Sequence, residues 1–140
     1  MRITGPSLGL VLFCIALPAA AQTPFAGISN LASALSRNDP DDALSYFDSQ
    51  MKDFGAIEAR IEALTAQADV SCAIDIVADE ESNDVHSLDL DWFMELKAQS
   101  DDSQLERRRE RVRIEMRQIR GRWKITSLSP LSILDPIKIQ

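Results

Sequence analysis

Histidine, tyrosine and cysteine are nearly missing: one His, one Tyr and two Cys in 140 residues. A single histidine, His86, leaves no partner at ligand spacing for a zinc site and none for a histidine-based catalytic dyad. Of the two cysteines, Cys14 sits in an N-terminal apolar stretch with Phe13 directly before it. Phe13 is unlike the small residue of a lipoprotein processing site, so lipidation is not expected. Cys72 then stands alone, no internal disulfide can form, and stability must come from packing. No apolar run reaches the roughly 20 residues a membrane helix needs. Basic charge is also scarce, 15 Lys and Arg against 22 Asp and Glu, for a net charge of −7. Such a balance is a poor fit to nucleic acid or an anionic membrane surface. Internal repeats, low-complexity tracts and flexible linkers are missing as well.

What is present begins with an address label. Arg2 supplies a positive start, residues 8–17 an apolar core, and Ala19-Ala20-Ala21 a small-residue cleavage site before Gln22. That order is the layout of a secretory signal peptide, so residues 1–21 are expected to be removed and the protein exported to the periplasm or medium without stable membrane anchoring. Cleavage takes away one base and no acid, leaving residues 22–140 as a single acidic domain.

The hydrophobic period then divides the chain. Phe25, Ile28, Leu31 and Leu35 mark one face of a first helix. Asp39 and Pro40 suit the N-cap and first position of a second, with Asp41 and Asp42 in its first turn and Ala43, Leu44, Phe47 and Met51 on its buried side. A third helix is expected over residues 54–68, burying Ile57, Ile61 and Leu64, with Glu58 and Glu62 on its other side. From Val70 the period becomes 2: Val70, Cys72, Ile74, Ile76 and Ala78 alternate with Ser71, Asp75 and Asp79. The acidic residues 79–84 read as a loop. Leu88, Leu90, Trp92, Met94 and Leu96 form a second alternation, residues 100–104 another polar loop, and Val112, Ile114 and Met116 a third strand. Arg120-Gly121 makes a tight turn into Trp123 and Ile125, followed by an apolar tail punctuated by Pro130 and Pro136. Helices first and a strand meander after them argue an α+β fold with the helices on one face of an antiparallel sheet.

The arginine-rich stretch from Arg107 to Lys124 is expected to be one face of that sheet. Setting Trp92 opposite Val112, Leu90 opposite Ile114 and Leu88 opposite Met116 keeps the apolar side consistent. It also pairs Glu95 with Arg109 and Asp91 with Arg113, at the cost of Asp89 opposite Glu115. Opposite charges across strands contribute about 0.2–1 kcal/mol each. A two-residue turn at Arg120-Gly121 sets Ile119 against Arg122 and Met116 against Ile125. The alternative use of Arg109, Arg111, Arg113 and Arg117 is a partner-facing surface, with a homodimer through the outer sheet face as the expected form.

Three amphipathic helices followed by a meander ending in Gly121-Arg122-Trp123-Lys124-Ile125-Thr126-Ser127-Leu128 resemble the nuclear transport factor 2-like (SnoaL-like, cystatin-like) superfamily, whose members often close on a Gly-x-Trp-Lys-Ile segment. Ala66-Gln67-Ala68-Asp69-Val70-Ser71 and Glu106-Arg107-Arg108-Arg109-Glu110 look like segments of secreted bacterial members. The resemblance spans residues 28–134. It implies a cone: three N-terminal helices packed in the concave face of a strongly curved four-stranded antiparallel sheet, with a pocket at the wide end. The superfamily holds isomerases, dehydratases and polyketide cyclases beside non-catalytic binding and assembly domains, so the fold does not select a function.

No catalytic constellation stands out. Tyr46 and Asp48 are two apart, too close in sequence to share a helix face. The acidic residues from Asp79 to Asp84 lack the glycine and spacing of a calcium loop. Cys72, between Val70 and Ile74 and near only Asp69 and Asp75, reads as a buried, unreactive thiol. Tyr46, Phe47, Trp92, Met94, Met116 and Trp123 are the candidates for lining a pocket. No cofactor and no metal are expected. The sequence therefore favours an exported, non-enzymatic binding or assembly module, with an enzyme or carrier for a small apolar molecule as the rival.

Overall fold

The computed structural model describes residues 23–100 and 104–138. The expected leader, residues 1–21, lies outside them. Thr23 opens α1 (Pro24–Ser36) by accepting a hydrogen bond from the Ala26 amide, with Pro24 in the first turn. The α1 face that meets the sheet carries Ile28, Leu31 and Leu35; Phe25, expected on that face, is exposed. Asp39 caps α2 (Pro40–Leu44) through the Asp42 amide, as its spacing implies. This helix stops well before Met51 because the next backbone is claimed by the sheet. Ile125 N–H donates to Tyr46 O at 2.9 Å and Asp48 N–H to Ile125 O at 2.8 Å. α3 (Phe54–Gln67) buries Ile57, Ile61 and Leu64. Among the described residues no helix is long and apolar enough to cross a membrane.

The strands are β1 (Ala68–Ser82), β2 (Val85–Ala98), β3 (Leu105–Ile119) and β4 (Arg122–Ser129), paired antiparallel in the order β1-β2-β3-β4. The expected cone is not found. The sheet is open, with β1 and β4 as unjoined edges, and is not strongly curved. Bulges are what bend a sheet, and the central β2–β3 ladder runs without one from Val85↔Arg117 to Lys97↔Leu105. Side chains and loop backbone meet parts of the two edges instead. Ser36 and Asn38 reach β1, and residues 46–48 reach β4.

The space between helices and sheet is filled. Trp92, Met94, Met116, Leu88, Leu90, Val112, Ile114 and Ile125 are fully buried against Ile28, Leu31, Leu35, Ile57, Ile61 and Leu64. A short 3-10 turn, Leu131–Leu134, closes the core with Ile133 and Leu134. Arg108 straps this tail down, donating to Ile133 O and Pro136 O while paired with Glu106. Arg108→Ala is therefore expected to cost about 2 kcal/mol, because hydrogen bonds from charged donors contribute about 1.5–3. Urea denaturation would show the loss, and earlier proteolytic clipping after residue 130 would place it.

Two local expectations change. Residues 79–84 are not a loop: β1 continues to Ser82 and turns at Asn83-Asp84, both at positive φ (51° and 65°). Asn and Asp tolerate that region, so two residues suffice for the hairpin. The expected β2–β3 register is also displaced by two residues. Leu90 faces Val112, Leu88 faces Ile114 and Trp92 faces Glu110. A two-residue slip keeps every side chain on its face. It replaces the unfavourable Asp89–Glu115 pair with Asp89 opposite Arg113, which bond at 3.4 Å.

The last hairpin matches its expected register, with Ile119↔Arg122 and Met116↔Ile125. Arg120 (φ 55°) and Gly121 (φ 82°) both occupy the left-handed region that such a turn demands. A Cβ at position 121 meets no neighbour, so Gly121→Ala tests backbone strain alone. About 1–2 kcal/mol of lost stability is expected in a denaturant titration.

Candidate binding groove

Where the helix layer ends, α1, α2 and β4 leave a groove of about 290 Å³. Ala26, Gly27 and Asn30 come from the first turns of α1, and Tyr46 from the segment just after α2. Arg122, Trp123 and Lys124 come from β4. The segment after α2 is held here by the Tyr46–Ile125 backbone pairing, which is why Tyr46 and Trp123 come to share one groove. The α1 N-terminus adds its partial positive charge to Arg122 and Lys124.

The polar groups of the groove are largely committed. Asp42 accepts from Arg37 at 2.7 Å, and Lys124 Nζ donates to Ser45 O. Burial, reinforced by the negative charge of Asp42 and a hydrogen bond to it, pushes the Tyr46 hydroxyl above its ordinary pKa. A second, wider depression runs beside Phe47, Phe54, Ile119 and Arg120.

Of the sequence candidates for pocket lining, Tyr46 and Trp123 border the groove. Phe47 is buried but borders the second depression, and Trp92, Met94 and Met116 are core side chains. Arg122 and Lys124 were not singled out from the sequence; their signal was two cations flanking Trp123. His86, taken as solitary, is half-buried with Nδ1 2.9 Å from Asp79 and Nε2 3.3 Å from Glu81. Its ring stands edge-on to Trp123, centroids 4.9 Å apart. Among the described residues no group of three or more His, Cys, Asp or Glu could hold a metal ion.

On the outer sheet face Arg109 forks onto Asp91 at 2.7 and 3.1 Å, Arg107 pairs with Glu95 and Arg113 with Asp89. The Arg109 fork holds Asp91 below the usual carboxylate range. Arg111 and Arg117 are exposed on the same strand, and Arg117 borders a depression with Glu81, Asn83 and Asp84.

Cys72 lies half-buried on β1, and burial pushes its thiol up to about 12. The Trp92 indole N–H lies near enough to oppose this slightly, yet Nε1 meets no partner with hydrogen-bond geometry. We read that contact as a weak N–H···S approach. With its pKa raised above the unfolded value of 9.0, Cys72 favours the folded state least where the unfolded thiol ionises and the folded one does not. Stability from this group is intact below pH 9 and falls as pH rises toward 12. Iodoacetamide at mildly alkaline pH should label the native protein far more slowly than the urea-unfolded chain.

Neither a protein-family model nor a curated protein matches the sequence. Solved structures do match. A conserved protein from Planctomyces limnophilus superposes with a TM-score of 0.66 over 74% of this chain and 88% of that one, at 9% identity. A nuclear transport factor 2-like superfamily protein from Salmonella enterica gives 0.61 over 82% and 89%, at 13% identity. The chain has the nuclear transport factor 2-like fold. A third match with the same fold is a ketosteroid isomerase-like protein from Erwinia carotovora, at a TM-score of 0.61 and 10% identity over 74% and 88%. Within the nuclear transport factor 2-like fold, sites are set by local side chains rather than by the scaffold. The groove must therefore be judged on its own residues.

Proposed function

We propose that the chain is an exported, non-enzymatic binding domain of the nuclear transport factor 2-like type that holds a small anionic aromatic molecule in the groove between α1, α2 and β4. The observation that carries this is the contrast between a filled interior and an open groove that unites Trp123 and Tyr46 with Arg122 and Lys124. An aromatic ring would lie against Trp123, and its carboxylate or phosphate would meet the two cations and the α1 N-terminus. The ketosteroid isomerase-like name of one neighbour supports small-molecule binding over an assembly role. Binding rather than turnover is favoured because the one groove carboxylate, Asp42, is held by Arg37. A homodimer through the outer face is less favoured: three of its arginines already meet acids of their own sheet.

Benzoate and phenyl phosphate titrated against intrinsic tryptophan fluorescence test the proposal. A saturable change is expected that benzyl alcohol does not reproduce and that Trp123→Phe removes. Arg122→Ala should weaken it about tenfold, the effect of losing one charge-assisted hydrogen bond, whereas Arg113→Ala leaves it unchanged. An equal response to benzyl alcohol, or none up to millimolar benzoate, would overturn the reading.

A further inference from the structure

β1 is a sheet edge along its whole length, yet only its first part is covered. Asn38 Oδ1 accepts from Val70 N–H at 3.0 Å, and its Nδ2 donates to Ala68 O. Ser36 Oγ both accepts from Cys72 N–H at 2.9 Å and donates to Cys72 O. These contacts show that Ala68, Val70 and Cys72 direct backbone groups away from β2. The alternation of an antiparallel ladder gives Ile74 and Ile76 the same direction, because both continue the unbroken register Val70↔Leu96, Cys72↔Met94, Ile74↔Trp92, Ile76↔Leu90. No donor or acceptor among the described residues meets these outward groups. Beside them Ile74 and Ile76 are half-buried, and Val77, at the bulge that follows, is 51% exposed.

Unpaired edge amides next to apolar side chains are a template for another strand. The charge of β1 decides which strand. It carries Asp69, Asp75, Asp79, Glu80 and Glu81 and no Lys or Arg. Two copies placed β1 against β1 would oppose like charges, which destabilises strand pairing. The bulge after Ile76 disrupts a long self-pairing further. A strand with alternating basic residues meets no such charge conflict, since its cations would face Asp75 and Glu80 on the outer side of the sheet.

We propose that the uncovered edge of β1, residues 74–82, is a docking site for a basic, extended peptide segment of another protein, which adds to the sheet as a fifth strand.

Hydrogen exchange read by mass spectrometry or NMR tests this with the full exported chain and a synthetic peptide alternating lysine and valine. In the free protein the Ile74 and Ile76 amides should exchange faster than those of Ala73 and Asp75. Adding the peptide should slow Ile74 and Ile76 by at least tenfold while leaving Arg122 and Lys124 unchanged. The same peptide with glutamate for lysine, or with proline for valine, should give no protection. Ile76→Pro removes one outward N–H that the β2 ladder does not use and should abolish the effect; Asp75→Asn, which keeps the backbone, should weaken it. Unchanged exchange at Ile74 and Ile76, equal protection by the glutamate peptide, or protection that grows with protein concentration alone through self-pairing would each overturn the proposal.

Discussion

Trp92→Ala is expected to lower the unfolding free energy by about 3–5 kcal/mol, the range for emptying a large aromatic site in a packed core. Trp92 is the largest fully buried side chain, at 0% exposure, and lies on β2 within the buried cluster that also holds apolar residues of α1, α2 and α3. No collapse of one neighbour can refill its volume, because the surrounding residues are fixed on four strands and three helices. The indole also carries an internal test. Its Nε1–H is buried without a true hydrogen-bond partner, and such a group costs about 1–3 kcal/mol in the native state. Trp92→Phe deletes that donor along with part of the ring, so the two changes offset and a net effect within about 1 kcal/mol is expected. Denaturant titrations of both variants, with unchanged m-values, would check the pair. Equal losses for alanine and phenylalanine would mean that the N–H is satisfied and that the packing is not what holds the site.

Asn38→Ala should cost about 3–4 kcal/mol, a large effect for a half-buried polar residue. The Asn38 amide joins three elements: it donates to Thr65 O at 2.9 Å and Ala68 O at 2.6 Å, and accepts from Val70 N–H at 3.0 Å. It thereby ties the end of α1 to the end of α3 and the start of β1. Three hydrogen bonds at about 1 kcal/mol each are lost together. A further penalty arises because Asn38 has φ 53°, a region that asparagine tolerates better than alanine. Asn38→Gly loses the same bonds without the backbone strain and should be milder than Asn38→Ala by about 1 kcal/mol. Asn38→Asp should be at least as damaging as alanine, since its carboxylate would face two carbonyl oxygens. Thermal unfolding of the three variants gives the order directly, and an alanine variant no worse than glycine would remove the strain argument.

Much of the architecture is legible in the chain because burial imposes a period. Ile57, Ile61 and Leu64 at helical spacing, and Leu88, Leu90, Trp92, Met94 and Leu96 at strand spacing, occur on the elements and faces their pattern implies. Turn chemistry is legible where positive φ restricts the choice, as at Arg120-Gly121. It is hidden at Asn83-Asp84, where acidic residues mask a continuing strand. The β2–β3 slip of two residues is hidden for a related reason. Side-chain alternation is blind to even shifts, and only the summed charge pairs between Asp89, Asp91, Glu95 and the β3 arginines distinguish the registers.

The groove was less legible still. Tyr46 and Trp123 could be named as aromatic candidates, but nothing local places residue 46 beside residue 123. That neighbourhood depends on α2 ending at Leu44 so that residues 46–48 can pair with Ile125. The same holds for the open sheet. The expected cone follows from a family resemblance, whereas bending depends on where bulges fall and on whether the outer strands meet.

The sequence by itself therefore determined the element order, the helix and strand faces and the last hairpin, because each is written in local period or turn chemistry. Tertiary structure alone decided that the sheet stays open, that the interior is filled by Trp92, Met94 and Met116, and that Tyr46 meets Trp123 in a groove. Those outcomes depend on contacts between residues far apart in the chain, where packing volume and backbone hydrogen bonds compete, and no periodicity records the result.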